Sequence, residues 1–132
     1  DPREHPVGDR VAFQPGDFLH DPLGEGWDVV LLFAVARTLA AGPVKALLAR
    51  ICAATAPGGT LVLMDQLVER LPSPFMRANA KLISLELLNS SPGELHTKDQ
   101  LQAWALEAGF ASVRYFDLRR SGGQGVIVAS KA

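Results

Sequence analysis

The sequence has little of several features that mark specialised classes of protein. It contains one cysteine, Cys52, so an internal disulfide and a cysteine-based metal cluster are both excluded, which fits a reducing cytoplasm. Its 13 Lys and Arg residues are matched by 14 Asp and Glu residues and form no dense basic run, so we expect no nucleic-acid partner. No apolar run approaches the roughly 20 residues that span a bilayer, so we expect no membrane partner.

The first six residues are polar and include two prolines, which is not the pattern of a signal peptide. The chain also has no initiator methionine, so we expect it to begin inside a longer gene product. What it does have is a 48% hydrophobic composition over 132 residues, enough for one globular domain with a core. The sequence shows no internal repeat and no linker that would divide it.

Three apolar segments in the first half predict strands. The short segment Val11–Phe13 stops at Pro15-Gly16. The segments Trp27–Phe33 and Thr60–Met64 are nearly continuous apolar runs, which are typical of strands buried on both faces of a parallel sheet.

A helix is predicted between the second and third of these strands. Pro43 suits its first turn, and Pro57-Gly58-Gly59 marks its end. Its apolar positions recur with helical spacing and predict one buried face: Val44, Leu47, Leu48, Ile51 and Cys52. A helix followed by a strand after a short Gly-rich turn indicates an α/β fold with parallel strands.

The second half predicts two further helices and two strands. Pro72 to Asn89 is apolar with few breakers, and a helix ending at Gly109 begins at a capping box formed by Thr97 and Gln100. The strands, with a hairpin turn at Ser121-Gly122-Gly123 between them, are Val113–Leu118 and Val126–Ala129.

Four sequence blocks, in order, resemble those of class I S-adenosylmethionine-dependent methyltransferases. Arg10 to Phe18 resembles their RVxFxxGDF block, and Trp27 to Val35 their fourth strand. Ala56 to Asp65 resembles PGGxLxxxE, and Thr97 to Phe110 resembles their T-x-x-x-L…x-E-A-G-F helix. The long apolar stretch from Pro72 is similar to the small-molecule O-methyltransferases of natural-product and pigment pathways.

The resemblance implies a partial Rossmann-like methyltransferase fold. The family sheet has the strand order 3-2-1-4-5-7-6, and residues 1–132 would supply strands three to seven as the C-terminal portion of one catalytic domain, with the last strands antiparallel. Without the first two strands, the strand at residues 28–35 becomes an exposed apolar edge. Such an edge invites pairing, so we expect a homodimer or self-association through it, or docking against a missing half.

The same resemblance implies S-adenosyl-L-methionine as the cofactor. The family's Gly-rich turn and its ribose-binding acidic residue are not found in this sequence, and what remains of the cradle is Asp17 with Phe18. By resemblance, Asp17 accepts a hydrogen bond from the adenine amino group and Phe18 packs on the adenine ring. The alternatives are a turn aspartate and a core phenylalanine.

For catalysis, the resemblance points to a small-molecule acceptor and to two residues. Many relatives carry His-Asp-Trp after the fourth strand, with the His as base, and here Arg37, Thr38 and Leu39 occupy those positions. Arg37 stays protonated, so it is no base but can orient an acidic acceptor. Asp65 matches a position where relatives carry Glu beside that His. His96 is expected to be an exposed polar residue before the helix cap, and the histidines show no metal-site spacing.

Three functions remain open at this point. The first is a methyltransferase enzyme whose missing half carries the Gly-rich turn, which Gly16-Asp17-Phe18 favours. The second is a methyltransferase-like domain that has lost catalysis and binds a ligand or partner, which Arg37-Thr38-Leu39 favours. A nicotinamide-dependent Rossmann domain is weaker, because its fingerprint is also absent.

Overall fold

The structure is a computed structural model that describes residues 8–67, 74–75, 78, 81–82, 85, 93–118 and 124–132. In these ranges the chain forms four strands and two longer helices, besides short 3-10 turns at Gly8–Arg10 and Ala36–Thr38. The strands are β1 Trp27–Phe33, β2 Thr55–Gln66, β3 Ser112–Asp117 and β4 Gln124–Ser130, and the helices are α1 Ala41–Ala54 and α2 Lys98–Ala108.

The four strands form one mixed sheet in the order β1-β2-β4-β3. β1 and β2 are parallel, as a strand–helix–strand unit requires, and Phe33 pairs with Met64 at their carboxyl ends. β4 is antiparallel to both β2 and β3. This α/β architecture confirms the predicted parallel pair and the predicted antiparallel hairpin, whose turn residues Ser121-Gly122-Gly123 lie outside the described residues.

The core lies between the two helices and one face of the sheet. The predicted stripe of α1 is buried at all five positions, and it meets Leu61 and Leu63 of β2 and Ile127 of β4 in one cluster. Trp104 of α2 joins the same cluster. Burial of a large aliphatic side chain contributes about 1.5–3 kcal/mol, so this cluster is what holds the helices to the sheet.

Both ends of α2 follow from its sequence. The Thr97 hydroxyl accepts from the Gln100 backbone N–H at 3.1 Å, and the Gln100 side chain accepts from the Thr97 N–H at 3.0 Å. This confirms the predicted capping box. Gly109 ends the helix with φ 115°, a conformation that favours glycine. Capping at this site positions His96, which immediately precedes Thr97.

β1 is exposed both at its edge and on one face. Among the strands that the structure describes, it has a hydrogen-bonded neighbour on one side only, β2, which agrees with the predicted edge. Val29, Leu31 and Phe33 are 57%, 61% and 45% exposed, whereas Val30 and Leu32 pack against the core. The prediction that this strand is buried on both faces is therefore wrong, since the described helices α1 and α2 pack against the face that carries Val30 and Leu32.

The predicted strand Val11–Phe13 is also wrong. These residues are described without regular structure, and Phe13 is 77% exposed. A strand is stable only when a neighbour satisfies its backbone groups, and none of the four described strands lies beside this segment. The sheet seen here therefore corresponds to strands four to seven of the implied fold, not three to seven.

β2 begins at Thr55 rather than Thr60, so it includes Pro57-Gly58-Gly59, although α1 ends before that segment as predicted. Most of the predicted helix from Pro72 to Asn89 lies outside the described residues; the positions described within it are helical. In the described part of the chain, no helix has the length and apolarity needed to cross a bilayer.

Candidate functional site

The parallel strands bring Arg37 and Asp65 together. Asp65 lies near the carboxyl end of β2, and Arg37 lies in the turn that follows β1. In open α/β sheets this is the edge where ligands bind. The Arg37 Nε atom is 3.8 Å from Asp65 Oδ1, so the two residues named from the sequence form one cluster.

Asp65 is buried, with 4% of its surface exposed. Its Oδ2 accepts from the Arg37 backbone N–H at 3.1 Å, and its Oδ1 accepts from the Gln66 backbone N–H at 2.8 Å. Burial raises the pKa of the carboxyl above its ordinary 3.8, against the opposing effect of these two N–H donors and of the Arg37 charge. Both carboxylate oxygens are thus engaged by backbone, and the guanidinium stands beside them.

The turn that carries Arg37 is tightly built. Ala34 adopts φ 58°, a left-handed conformation that is uncommon for a residue with a Cβ. Its N–H donates to Met64 O at 2.9 Å, and the Thr38 hydroxyl donates to Val35 O at 2.6 Å. Strained backbone of this kind persists where surrounding contacts fix it, and it is concentrated at functional sites.

Asp65→Asn is expected to change how stability depends on pH. The raised pKa means that folding favours the protonated carboxyl of Asp65. The stabilisation of the folded state by this protonated group is fully present below pH 3.8 and is lost as pH rises through the folded-state pKa. The free energy of unfolding of the native protein, relative to Asp65→Asn, should therefore fall as pH rises across this window. Urea unfolding at a series of pH values measures it, and a relative stability that increases with pH would contradict the assignment.

His96 is buried, with 3% of its surface exposed, so the prediction of an exposed residue is wrong. Its Nε2 lies 3.1 Å from Ala36 O and 2.9 Å from Leu39 O. Its ring meets Trp104 edge-on, with centroids 5.2 Å apart. The helix cap next to it suggested exposure, but the turn after β1 folds back over the same place and covers it.

Asp17 and Phe18 lie in a loop that the end of α1 holds in place. The Arg50 guanidinium donates to the carbonyl oxygens of Phe18 and Asp21. The Asp17 N–H donates to Asp21 Oδ2 at 2.8 Å, and a Cβ at Gly16 would lie 2.9 Å from that oxygen. A larger residue at position 16 would therefore have to displace the Asp21 carboxylate that accepts from the Asp17 N–H.

The Asp17 carboxylate is exposed and ionised. Its Oδ2 is 2.6 Å from His20 Nδ1, and its Oδ1 accepts from the Leu19 N–H at 2.9 Å. The hydrogen bond with His20 lowers the pKa of Asp17, and the Leu19 N–H lowers it further. The Asp17 carboxylate is thus an anion at neutral pH. It can accept a hydrogen bond from an amino group such as the exocyclic amine of adenine.

A cavity opens beside this loop. It has a volume of about 380 Å³, within the range of small-molecule sites, and Asp17 and Phe18 are among its lining residues. Phe18 is 44% exposed and also borders an apolar groove of about 310 Å³ toward β1 and α1. A flat ring with a polar edge fits an apolar wall beside a carboxylate, so these residues fit the adenine end of the implied cofactor.

Three residues that the sequence did not assign shape these two clusters. His20 and Arg50 orient the Asp17 loop, and His96 contacts the Arg37 turn. Arg50 is a partly exposed helical residue outside the buried stripe of α1, which gives no sequence signal. No sequence signal pointed to His96, because its place directly before a capping box indicated an exposed residue. Within the described ranges, no group of three His, Cys, Asp or Glu side chains is arranged to hold a metal ion.

A family model described as an O-methyltransferase domain matches residues 2–111 of the chain. The chain belongs to this O-methyltransferase family. Its relatives include the 3-hydroxy-5-methyl-1-naphthoate 3-O-methyltransferase of Streptomyces sahachiroi, 29% identical over 93% of this chain. The tetracenomycin polyketide synthesis 8-O-methyl transferase of Streptomyces glaucescens is 34% identical over 80% of the chain.

A solved structure extends this O-methyltransferase likeness to the fold. Human N-acetylserotonin methyltransferase, in complex with SAM, superposes with a TM-score of 0.78 at 29% identity, over 94% of this chain and 34% of that protein. The chain covers 35% and 31% of the two Streptomyces enzymes. It therefore spans about a third of the length of the relatives it matches.

Proposed function

We propose that this chain acts as the C-terminal portion of an S-adenosylmethionine-dependent methyltransferase domain, within a longer polypeptide, and transfers a methyl group to a hydroxyl of a small aromatic acceptor. The observation that carries the proposal is the anionic Asp17 beside Phe18 in the lining of a ligand-sized cavity. Family membership supplies the reaction class.

In this proposal Asp17 accepts a hydrogen bond from the adenine amino group and Phe18 packs against the ring. Arg50 keeps the loop closed through the Phe18 and Asp21 carbonyls, so the carboxylate is held before the cofactor binds. The bound cofactor supplies an electrophilic methyl group on a sulfonium. The Gly-rich turn that holds the rest of it belongs to the preceding part of the domain.

We place the acceptor beside Arg37 and Asp65. Arg37 stays protonated at neutral pH, so it removes no proton from a hydroxyl. A guanidinium does stabilise an anion, so an acceptor that is already ionised, such as an acidic phenol or one carrying a carboxylate, is suited to this position. One relative is named for a hydroxynaphthoate, which has both groups. Holding oxygen and methyl in line then supplies much of the rate.

The test is methyl transfer by the full-length protein. Purified enzyme is incubated with S-adenosylmethionine and a pair of acceptors, a hydroxynaphthoic acid and the naphthol without its carboxylate, and S-adenosylhomocysteine release is measured. We expect turnover that prefers the acid, and Arg37→Met should remove most of that preference, about tenfold if one exposed charge-assisted contact is lost. Turnover that is equal for both acceptors would contradict the role of Arg37.

The second candidate is a methyltransferase-like domain that no longer catalyses transfer. The observation in its favour is Arg37 itself, which stands where many relatives carry a basic histidine. Such a protein would bind S-adenosylhomocysteine and the acceptor without releasing product. Binding without turnover, across neutral and acidic acceptors, would favour this candidate.

For partners, we propose that the edge of β1 pairs with the preceding part of the same polypeptide. No other strand in the described part of the chain pairs with its outer side, and its exposed face carries Val29, Leu31 and Phe33. When the chain is produced alone, the same edge is available to a second copy. This gives self-association as the expected behaviour of the isolated chain.

A further inference from the structure

We propose that His96 is a positioning residue that locks the turn after β1 and so fixes the Arg37 side chain and the Arg37–Asp65 contact at the acceptor site. Its place at that site rests on the proposed function, but its effect on the turn stands on geometry alone.

The His96 ring contacts two backbone carbonyls of the turn after β1. Ala36 O and Leu39 O both lie within 3.1 Å of Nε2, and carbonyl oxygens only accept hydrogen bonds. Nε2 therefore carries the proton and donates to both ends of the Ala36–Leu39 turn. Because the ring is 3% exposed, no water replaces this donor if it is removed.

The segment that precedes His96 packs closely against the same turn. A Cβ on Gly93 would lie 2.7 Å from the Thr38 Cα, so the backbone at position 93 rests directly on the turn. On the other side, the edge of the His96 ring is fixed by Trp104 of α2. The segment from Gly93 to His96 thus presses against the turn, and the helix holds the ring at the required angle.

The turn after β1 is held from two sides. Asp65 holds the Arg37 N–H from the β2 side, and His96 holds the Ala36 and Leu39 carbonyls from the α2 side. Ala36 is 1% exposed and Leu39 is 6% exposed, whereas the Arg37 side chain is 33% exposed. The turn thus keeps Ala36 and Leu39 buried while the Arg37 side chain reaches the surface, so a shift of the turn moves the guanidinium directly.

The experiment compares two substitutions in the full-length protein. His96→Phe keeps a ring of similar shape against Trp104 but has no N–H, whereas His96→Gln keeps a donor at a similar reach. Ile127→Val, in the same core but away from the turn, is the control for loss of stability alone. Hydrogen–deuterium exchange is read by mass spectrometry on peptides covering residues 34–40 and 124–130.

We expect His96→Phe to speed exchange at residues 34–40 by about tenfold, as for one lost hydrogen bond, with no matching change at residues 124–130. His96→Gln should restore most of the protection. In turnover assays His96→Phe should lower kcat/KM for the acceptor by up to about 100-fold, because a displaced group is costly, while leaving S-adenosylhomocysteine affinity unchanged.

Unchanged exchange at residues 34–40 in His96→Phe would overturn the proposal. So would an equal increase in both peptides, as in Ile127→Val, or a failure of His96→Gln to restore protection. A protein that shows the local exchange change but binds no S-adenosylhomocysteine would sink the proposed function and leave the positioning of the turn standing.

Discussion

Replacing Asp17 by alanine is expected to weaken S-adenosylhomocysteine binding by the full-length protein about 10- to 100-fold, the value of one hydrogen bond to a charged group. Asp17 Oδ2 contacts His20, whose side chain is 79% exposed and can give way to an adenine amine. Isothermal titration calorimetry measures the change.

The control for Asp17→Ala is Asp28→Ala, which removes another exposed aspartate, one that lies in β1 and outside the Asp17 loop. Asp17→Asn adds a second comparison, because it keeps the shape and an acceptor oxygen but removes the charge. We expect Asp28→Ala to bind as the native protein does and Asp17→Asn to fall between. Native affinity in Asp17→Ala would contradict the assignment of this loop to the cofactor.

The isolated 132-residue chain is expected to self-associate, and Leu31→Lys is expected to abolish that association. Leu31 lies in the middle of β1, is 61% exposed, and is flanked on the same face by Val29 and Phe33. A lysine there places a charge on the exposed edge strand, which is how natural sheets prevent edge pairing. Size-exclusion chromatography with light scattering gives the mass of each variant.

The matched control is Leu106→Lys. Leu106 lies on α2, is 52% exposed and is changed by the same charge, but it is remote from the β1 edge. We expect this variant to associate as the native chain does. A native chain that is monodisperse and monomeric would contradict the account of the β1 edge, and equal loss of association in both variants would show an effect of charge alone.

Local sequence predicted most of the fold. The bounds of β1, the buried stripe of α1 and the capping box of α2 all follow from patterns within a few residues, where periodicity and capping chemistry act. The predicted strand at Val11–Phe13 failed for a non-local reason. A strand needs a neighbour, and no local pattern states whether that neighbour is present.

The candidate site was predictable to the extent that it depends on topology. Arg37 and Asp65 follow adjacent parallel strands, so their meeting at one edge follows from the α/β order. His96 was missed because its burial depends on contacts with residues 57 and 60 positions away. Arg50 was missed because a helical arginine that reaches a distant loop resembles any solvent-exposed arginine.

The central claim is that this chain is one part of a cofactor-binding methyltransferase domain. Calorimetric titration of S-adenosylhomocysteine into the full-length protein, and in parallel into the 132-residue chain, tests it most directly. We predict binding to the full-length protein and much weaker or no binding to the isolated chain, since in our proposal Asp17 and Phe18 contact only the adenine end of the cofactor. Absence of binding to the full-length protein would contradict the claim.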